Sequence, residues 1–289
     1  MNAVDSNTAG PLAIICCAGA LPFAVADAVE AHGRRIVLFP VEGIADAAAV
    51  ARYPHHHWMK LGQAGRLFSL MRQDGCQEVV LIGNLTRPKL SSIRLDFTTL
   101  RLFPAIIAAY RGGDDHLLRS VGRVFEREGF TLRGAHEVAP EILMPEGVLT
   151  RRQPTSDEQS DIDRALALIR AIGAFDVGQA VVVFNSHIIA VEGIEGTDEM
   201  LARVADLRRR ERLSAPAGRG VIVKAPKPQQ DRRIDLPAIG TKTVENVTLA
   251  GLSGIAVAAG ETIIADLDAT VAAADRAGIF IAGVKSRPT

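Results

Sequence analysis

Residues 12–40 read LAIICCAGALPFAVADAVEAHGRRIVLFP. Leu12 to Cys17 is a short apolar run, Leu21 to Ala31 spaces its apolar residues as a helix does and stops at Gly33, and Arg35 to Pro40 is apolar again. A strand, an amphipathic helix and a second strand in this succession predict a βαβ crossover, because parallel strands need a connection long enough to recross the sheet.

Reading outward, Trp58 to Leu61 suggests a short strand and Gly65 to Gln73 a helix closed at Gly75. Glu78 to Ile82 is a buried strand running into Gly83-Asn84, Phe97 to Tyr110 and Asp115 to Glu128 are helical, and Phe130 to Gly134 is a strand. The alternation predicts an α/β fold, with a Rossmann-like N-terminal domain over residues 10–140. Between Pro140 and Ser160 the apolar period disappears, so residues 141–160 are expected to be a linker. A second α/β (α+β) domain over 161–289 then opens with a helix, Asp161 to Ile172, carrying Ile162, Leu166 and Ile169 on one face. A hairpin follows from Ala180–Phe184 and Ile188–Val191, then a helix from Asp198 to Arg212 and a strand from Gly220 to Lys224. A proline-punctuated segment to Gly240 and further βα alternation to Val284 complete the chain, which shows no internal repeat.

Composition narrows the function. Thirty-three basic residues balance thirty-three acidic ones among 289, and aromatics make up 4%. A nucleic-acid protein would need a basic field and rings for stacking, so no nucleic-acid partner is expected. Cys16, Cys17 and Cys76 are odd in number and two are adjacent, which favours a reducing compartment. Met1 to Gly10 lacks the basic and apolar regions of a signal peptide. The uncharged stretch Asn246 to Gly260 has fifteen residues and three glycines. A spanning helix needs about 20 apolar residues, so no membrane span is expected.

The densest chemistry lies between Lys224 and Gly240, where Lys224, Lys227, Gln230, Asp231, Arg232, Arg233 and Asp235 follow an apolar strand. Pro226, Pro228 and Pro237 exclude a regular helix, so this is a loop at a strand's carboxyl end, where α/β proteins keep ligands. Its cations suit a diphosphate, and Asp231 and Asp235 suit Mg²⁺ or a positioned water. The bland alternative is a salt-bridged surface loop. Glu195-Gly-Thr197 precedes a helix that Thr197 or Asp198 starts, so the Thr197 hydroxyl is expected to cap it or to meet a phosphate there.

In the first half, Cys17-Ala-Gly19-Ala-Leu21-Pro22 joins strand to helix, and Gly83-Asn84 and Gly134-Ala-His136-Glu137 follow strands; each is a weak candidate contact. No Gly-x-Gly-x-x-Gly supports a dinucleotide, and no Gly-x-Ser-x-Gly supports a serine hydrolase. Consecutive His55, His56 and His57 point in different directions, which disfavours zinc. The arginines Arg203, Arg208, Arg209, Arg210 and Arg212 suit either anionic lipid or a solvated helix end.

Six segments in order, Gly112-Gly-Asp-Asp-x-Leu-Leu118, Glu128-Gly-Phe-x-Leu-x-Gly-Ala-His-Glu137, Asp176-Val-Gly-Gln179, Ala190-Val-Glu-x-Ile-Glu-Gly-Thr-Asp198, Lys224-Ala-Pro-Lys-Pro228 and Arg233-Ile-Asp-Leu-Pro-x-Ile-Gly240, resemble the LpxI family. The resemblance implies Mg²⁺-dependent hydrolysis of UDP-2,3-diacylglucosamine at the α-phosphate to lipid X and UMP, in lipid A biosynthesis. It implies catalytic roles for Asp235, Asp231 and Thr197, with Asp235 and Asp231 on the metal. It implies substrate contacts from Lys224, Lys227, Gln230, Arg233, Glu195, Gly19, Leu21, Gly83, Asn84 and His136, and a lipid site between the domains. A cytoplasmic protein peripheral on the inner membrane follows from such a substrate, and a homodimer is compatible with it. One departure is that the family's glycine triplet stands here as Cys17-Ala18-Gly19. The competing readings are a nucleotide-sugar transferase or dehydrogenase, and a non-catalytic nucleotide-binding module.

Overall fold

The structure, a computed structural model, describes residues 10–83, 96–100, 114–213, 216–227 and 230–285. The chain divides into two compact units, one of residues up to Glu141 plus Asp231–Asp235, the other of Ile142–Gln230 plus Leu236 onward.

The first unit is built on four parallel strands, β1 (Leu12–Cys16), β2 (Ile36–Pro40), β3 (Glu78–Ile82) and β4 (Thr131–Leu132), in the order β2-β1-β3-β4. His56 and Met59 add isolated parallel bridges to Leu38 and Val41 at the outer edge of β2. Trp58–Leu61 was expected to be a short strand; extended backbone is present one step earlier, bonded only intermittently. Counting that segment, the order becomes 3-2-1-4-5, that of a Rossmann sheet. The helix Leu21–Ala31 connects β1 to β2 and buries Phe23, Val25, Ala26 and Val29. Elsewhere in this unit Phe68 of the helix Ala64–Gln73 meets Phe125 edge-on at 5.3 Å and stacks on Phe130 at 5.8 Å. The strand expected at Phe130–Gly134 is limited to β4, and the helix expected at Asp115–Glu128 spans Asp114–Arg127. Most of the expected helix Phe97–Tyr110, with Asn84, Gly112, Gly113 and Pro228, lies outside the described residues.

The second unit has a six-stranded mixed sheet ordered β5-β12-β10-β8-β6-β7. Its strands are β5 (Gly147–Val148), β6 (Ala180–Phe184), β7 (His187–Val191), β8 (Val221–Lys224), β10 (Gly254–Ala258) and β12 (Phe280–Val284), while β9 (Ala238–Ile239) and β11 (Ile263–Ile264) form a separate parallel pair. Strands β8, β10 and β12 are parallel, joined through the helices Thr241–Leu249 and Leu267–Ala277. Those helices and Gly196–Arg209 cover one face of the sheet, and Ser156–Ile172 covers the other with Ile162, Ala165, Leu166 and Ile169. Burying each large aliphatic side chain contributes about 1.5–3 kcal/mol.

Residues 141–160 are not a linker. Gly147–Val148 pairs antiparallel with β12, Met144 N donates to Thr262 O, and the helix starts at Ser156 rather than Asp161. The reason is a capping box: Thr155 Oγ1 accepts from Glu158 N at 3.3 Å and Glu158 returns a bond to Thr155 N at 2.9 Å. Polar capping residues carry no apolar period, so the sequence pattern hides a helix start of this kind. Among the described residues no helix is long and apolar enough to cross a membrane.

Candidate active site

Strand register gathers one polar cluster in the second unit. Lys224, the last residue of β8, is opposite Ala180, the first of antiparallel β6, and Val191, the last of β7, is opposite Val181. Residues 176–179, 192–197 and 224–227, with Gln230, therefore collect at one end of the sheet. Lys224 Nζ donates to Ala238 O at 3.0 Å, and Lys227 forms an ion pair with Asp176. Gln230 Oε1 accepts from Lys227 N at 2.9 Å while its Nε2 donates to Gln179 Oε1 at 3.2 Å. All three of Lys224, Lys227 and Gln230 are buried. A buried ammonium is costly unless bonded in this way.

Thr197 does not cap its helix. The helix begins one residue earlier, at Gly196, and the Thr197 hydroxyl donates instead to Glu192 Oε1 at 2.8 Å. Glu192 is buried and its other oxygen accepts from Gln179 N at 2.9 Å. Glu195 turns to Arg203 at 2.9 Å; a bond to its own backbone amide, then that arginine, holds its carboxyl below the usual glutamate range.

In the first unit, residues 231–235 form a helical turn in which Asp231 O accepts from Ile234 N at 3.0 Å and Asp235 N at 3.1 Å. Asp231 Oδ1 accepts from Arg233 N and Nε, both at 3.1 Å, and Oδ2 accepts from Arg233 Nη2 at 2.9 Å. Arg233 also donates to Glu126 at 2.9 Å, which ties the turn to the helix Asp114–Arg127, and Ile234 packs on the unit's core. The Arg233 hydrogen bonds hold the Asp231 carboxyl below the ordinary aspartate range. Backbone spacing fixes Asp235 on the same turn, four residues from Asp231. His136 lies against Gly134, where a Cβ would come 2.5 Å from His136 Nδ1 and 3.1 Å from Arg233 Cα; that nitrogen is buried with no hydrogen-bond partner among the described residues.

Asp231 was expected to be a metal ligand with Asp235; in the structure both its oxygens accept from Arg233, which still leaves lone pairs on the carboxylate. Among the described residues no group of three or more His, Cys, Asp or Glu side chains is disposed to hold a metal ion. Mg²⁺ takes one or two carboxylates and completes its octahedron with water and phosphate oxygens, so a site for that ion does not require three protein ligands.

At the carboxyl ends of β1 and β3, Gly83 has φ of 102° and packs so closely that a Cβ there would lie 2.8 Å from Ala18 O. Gly19 has φ of 96° with open space around it, and Leu21 starts the following helix. Burial pushes the Cys17 thiol up to about 11.

Other candidates are dispersed. His57 bonds Asp74 at 2.8 Å and His56 bonds Tyr53 O at 2.8 Å. The helix expected to run to Arg212 ends at Arg209; Arg208 turns to the protein and donates to the Ala250, Pro216 and Arg219 carbonyls, while the exposed Arg209 and Arg210 share Asp206. The cluster keeps a net positive charge, because carbonyl contacts leave the Arg208 charge in place and one carboxylate serves both Arg209 and Arg210. Asp176, Gln179 and Glu192 belong to the polar cluster of the second unit without having been singled out as candidates. The available signal was positional, since Gln179 and Glu192 directly flank β6 and β7 with Gly178 and Gly193 beside them, and Asp176 lies two residues before Gly178.

A Rossmann-type sheet, a mixed α/β unit and polar residues at strand ends define an α/β protein of the kind that holds ligands at its strand termini. Residues 11–142 match the model of the LpxI N-terminal domain and residues 145–282 that of the LpxI C-terminal domain. A curated relative, the UDP-2,3-diacylglucosamine pyrophosphatase LpxI of Caulobacter vibrioides, is 43% identical over 273 residues, covering 94% of this chain and 97% of the relative. The chain belongs to the LpxI family. Among solved structures, a UDP-glucose-4-epimerase from Stenotrophomonas maltophila with bound NAD and formylated UDP-arabinopyranose aligns at 13% identity over 97% of this chain and 94% of that one, with a TM-score of 0.30.

Proposed function

We propose that the chain hydrolyses UDP-2,3-diacylglucosamine to 2,3-diacylglucosamine 1-phosphate and UMP with Mg²⁺, in lipid A biosynthesis at the cytoplasmic face of the inner membrane. The observation that carries the reading is the 43% identity, nearly end to end, with a relative named for that activity.

Asp235 would hold Mg²⁺, which when bound supplies charge neutralisation to the diphosphate in the transition state. Asp231 and Arg233 fix the turn that presents Asp235. Lys224 would meet the diphosphate directly, and Lys227 would do so by exchanging Asp176 for a phosphate oxygen, a charge-assisted bond of the stronger kind. Gln230 keeps the Lys227 backbone in place. Gly19, Leu21, Gly83 and His136 are the further candidates for substrate contact.

Water attacks the α-phosphorus, the bond from that phosphorus to the bridging oxygen breaks, and the lipid phosphate leaves with the electron pair. In ¹⁸O-water the label is therefore expected in UMP, and label in the lipid phosphate instead would place attack at the β-phosphorus. Activity that survives complete chelation would remove the metal from the proposal, and no UMP release from this substrate would remove the substrate. Flotation with substrate-bearing vesicles checks membrane attachment; no binding would count against a bilayer substrate.

A further inference from the structure

Glu192 is 7% exposed, and each carboxylate oxygen has a donor from the chain: Gln179 N at 2.9 Å and Thr197 Oγ1 at 2.8 Å. The carboxylate is firmly held. Its own amide donates to Ala180 O at 2.9 Å, its carbonyl accepts from Gly178 N at 3.1 Å, and it packs where a Cβ on residue 178 would lie 2.5 Å from its Cγ. A hydroxyl has one proton and two lone pairs, whereas an ionised carboxylate only accepts. The Thr197 proton is therefore committed to Glu192, and what Thr197 offers from its half-buried position is an acceptor. Donating to a phosphate oxygen would leave a buried carboxylate one bond short, which is unfavourable.

We infer that Glu192 is a positioning residue that fixes Thr197 as a hydrogen-bond acceptor, and that Thr197 reads a donor on the substrate, a hydroxyl or an amide N–H, rather than a phosphate oxygen. This rests on the proposed hydrolysis of a UDP-linked diacylglucosamine, whose sugar hydroxyls and N-acyl amide donate and whose phosphates only accept. Thr197 would then serve recognition of a donor on the glucosamine, its acyl amide or the uridine, separately from the diphosphate chemistry.

The test compares wild type with Thr197→Val, Thr197→Ser, Glu192→Gln and the Glu192→Gln, Thr197→Val double variant. Three readouts are taken: kcat and KM for UDP-2,3-diacylglucosamine, and the inhibition constant of inorganic diphosphate. Thr197→Val is expected to raise KM about 3- to 10-fold, the range of one neutral hydrogen bond, with a smaller effect on kcat and none on diphosphate inhibition. Thr197→Ser restores KM. Glu192→Gln, whose amide can donate to Thr197 and reverse its hydroxyl, raises KM similarly, and the double variant is no worse than Thr197→Val alone. Diphosphate inhibition weakened in step with KM by Thr197→Val would overturn the inference, as would multiplicative single effects or a Glu192→Gln variant with wild-type KM. Should Glu192→Gln not fold, the valine, serine and diphosphate arms still decide whether Thr197 meets a donor or a phosphate. A wild-type protein that releases no UMP refutes the functional reading and this inference with it, whereas an active wild type with the contrary results refutes the inference alone.

Discussion

Asp231→Asn separates an anchoring aspartate from a catalytic one. The wild-type carboxylate receives Arg233 N, Nε and Nη2 at 3.1, 3.1 and 2.9 Å. Asparagine keeps one acceptor oxygen and sets an NH₂ group against a guanidinium donor. Hydrogen bonds to charged groups contribute about 1.5–3 kcal/mol. The side chains of the pair are 18% and 39% exposed, however, so solvent screening lowers the figure. We expect a loss of about 1–2 kcal/mol, or roughly 2–8 °C in Tm. Misplacement of Asp235 by a relaxed turn is expected to lower turnover about 10- to 100-fold. Asp235→Asn should lower it by about 10³-fold or more with Tm little changed. UMP release and thermal melting of both variants measure this. If Asp231→Asn is as inactive as Asp235→Asn and melts like wild type, Asp231 acts on metal or water and the anchoring argument is wrong. The pH dependence supplies a second check. A depressed carboxyl stabilises the fold above the unfolded aspartate pKa of about 3.9, and that contribution is lost as pH falls through the lower folded value. The Tm difference between wild type and Asp231→Asn should thus be full at neutral pH and close below that range.

Glu158→Ala removes a capping box and leaves Arg152 without its 2.7 Å partner, so a loss of about 2–4 kcal/mol is expected in chemical denaturation; a loss near zero would deny the cap its role. Gly178→Ala forces a Cβ onto Glu192 and should cost about 1–3 kcal/mol, with wild-type stability contradicting the close packing. Arg208→Ala should destabilise measurably because three carbonyls lose a donor, while Arg209→Ala should stay within about 0.5 kcal/mol; equal effects would mean that the carbonyl contacts contribute little. Cys17, with its thiol pushed up to about 11, should alkylate far more slowly at pH 7 in the folded protein than in denaturant, and equal rates would contradict its burial.

The apolar runs carried most of the architecture. Residues 12–16, 36–40 and 78–82 are buried strands whose hydrophobicity is continuous, as parallel sheets require, and the hairpin of β6 and β7 is equally plain. Boundaries set by polar groups were harder to read. Thr155 and Glu158 begin a helix without any apolar signal, and the start at Gly196 makes Thr197 an internal residue whose hydroxyl faces a carboxylate five positions back. The concentration of charge between Lys224 and Asp235 was visible as a string, but its pairing was not. That Asp231 serves Arg233, and that Lys227 meets Asp176, depends on register between strands and on a turn, which spacing along the chain does not encode.

The first unit is not finished when its own sheet is. Its last five residues, Asp231–Asp235, are encoded after most of the second unit, and the chain leaves and re-enters that unit to deliver them. During synthesis the Rossmann-type layer can fold on the ribosome well before the aspartate it is to carry has been translated. A gene cut at the obvious boundary near residue 141 would give one product with the supporting helix and another with Asp235. Any activity recovered by mixing the two halves would then report fragment complementation, since neither half carries both.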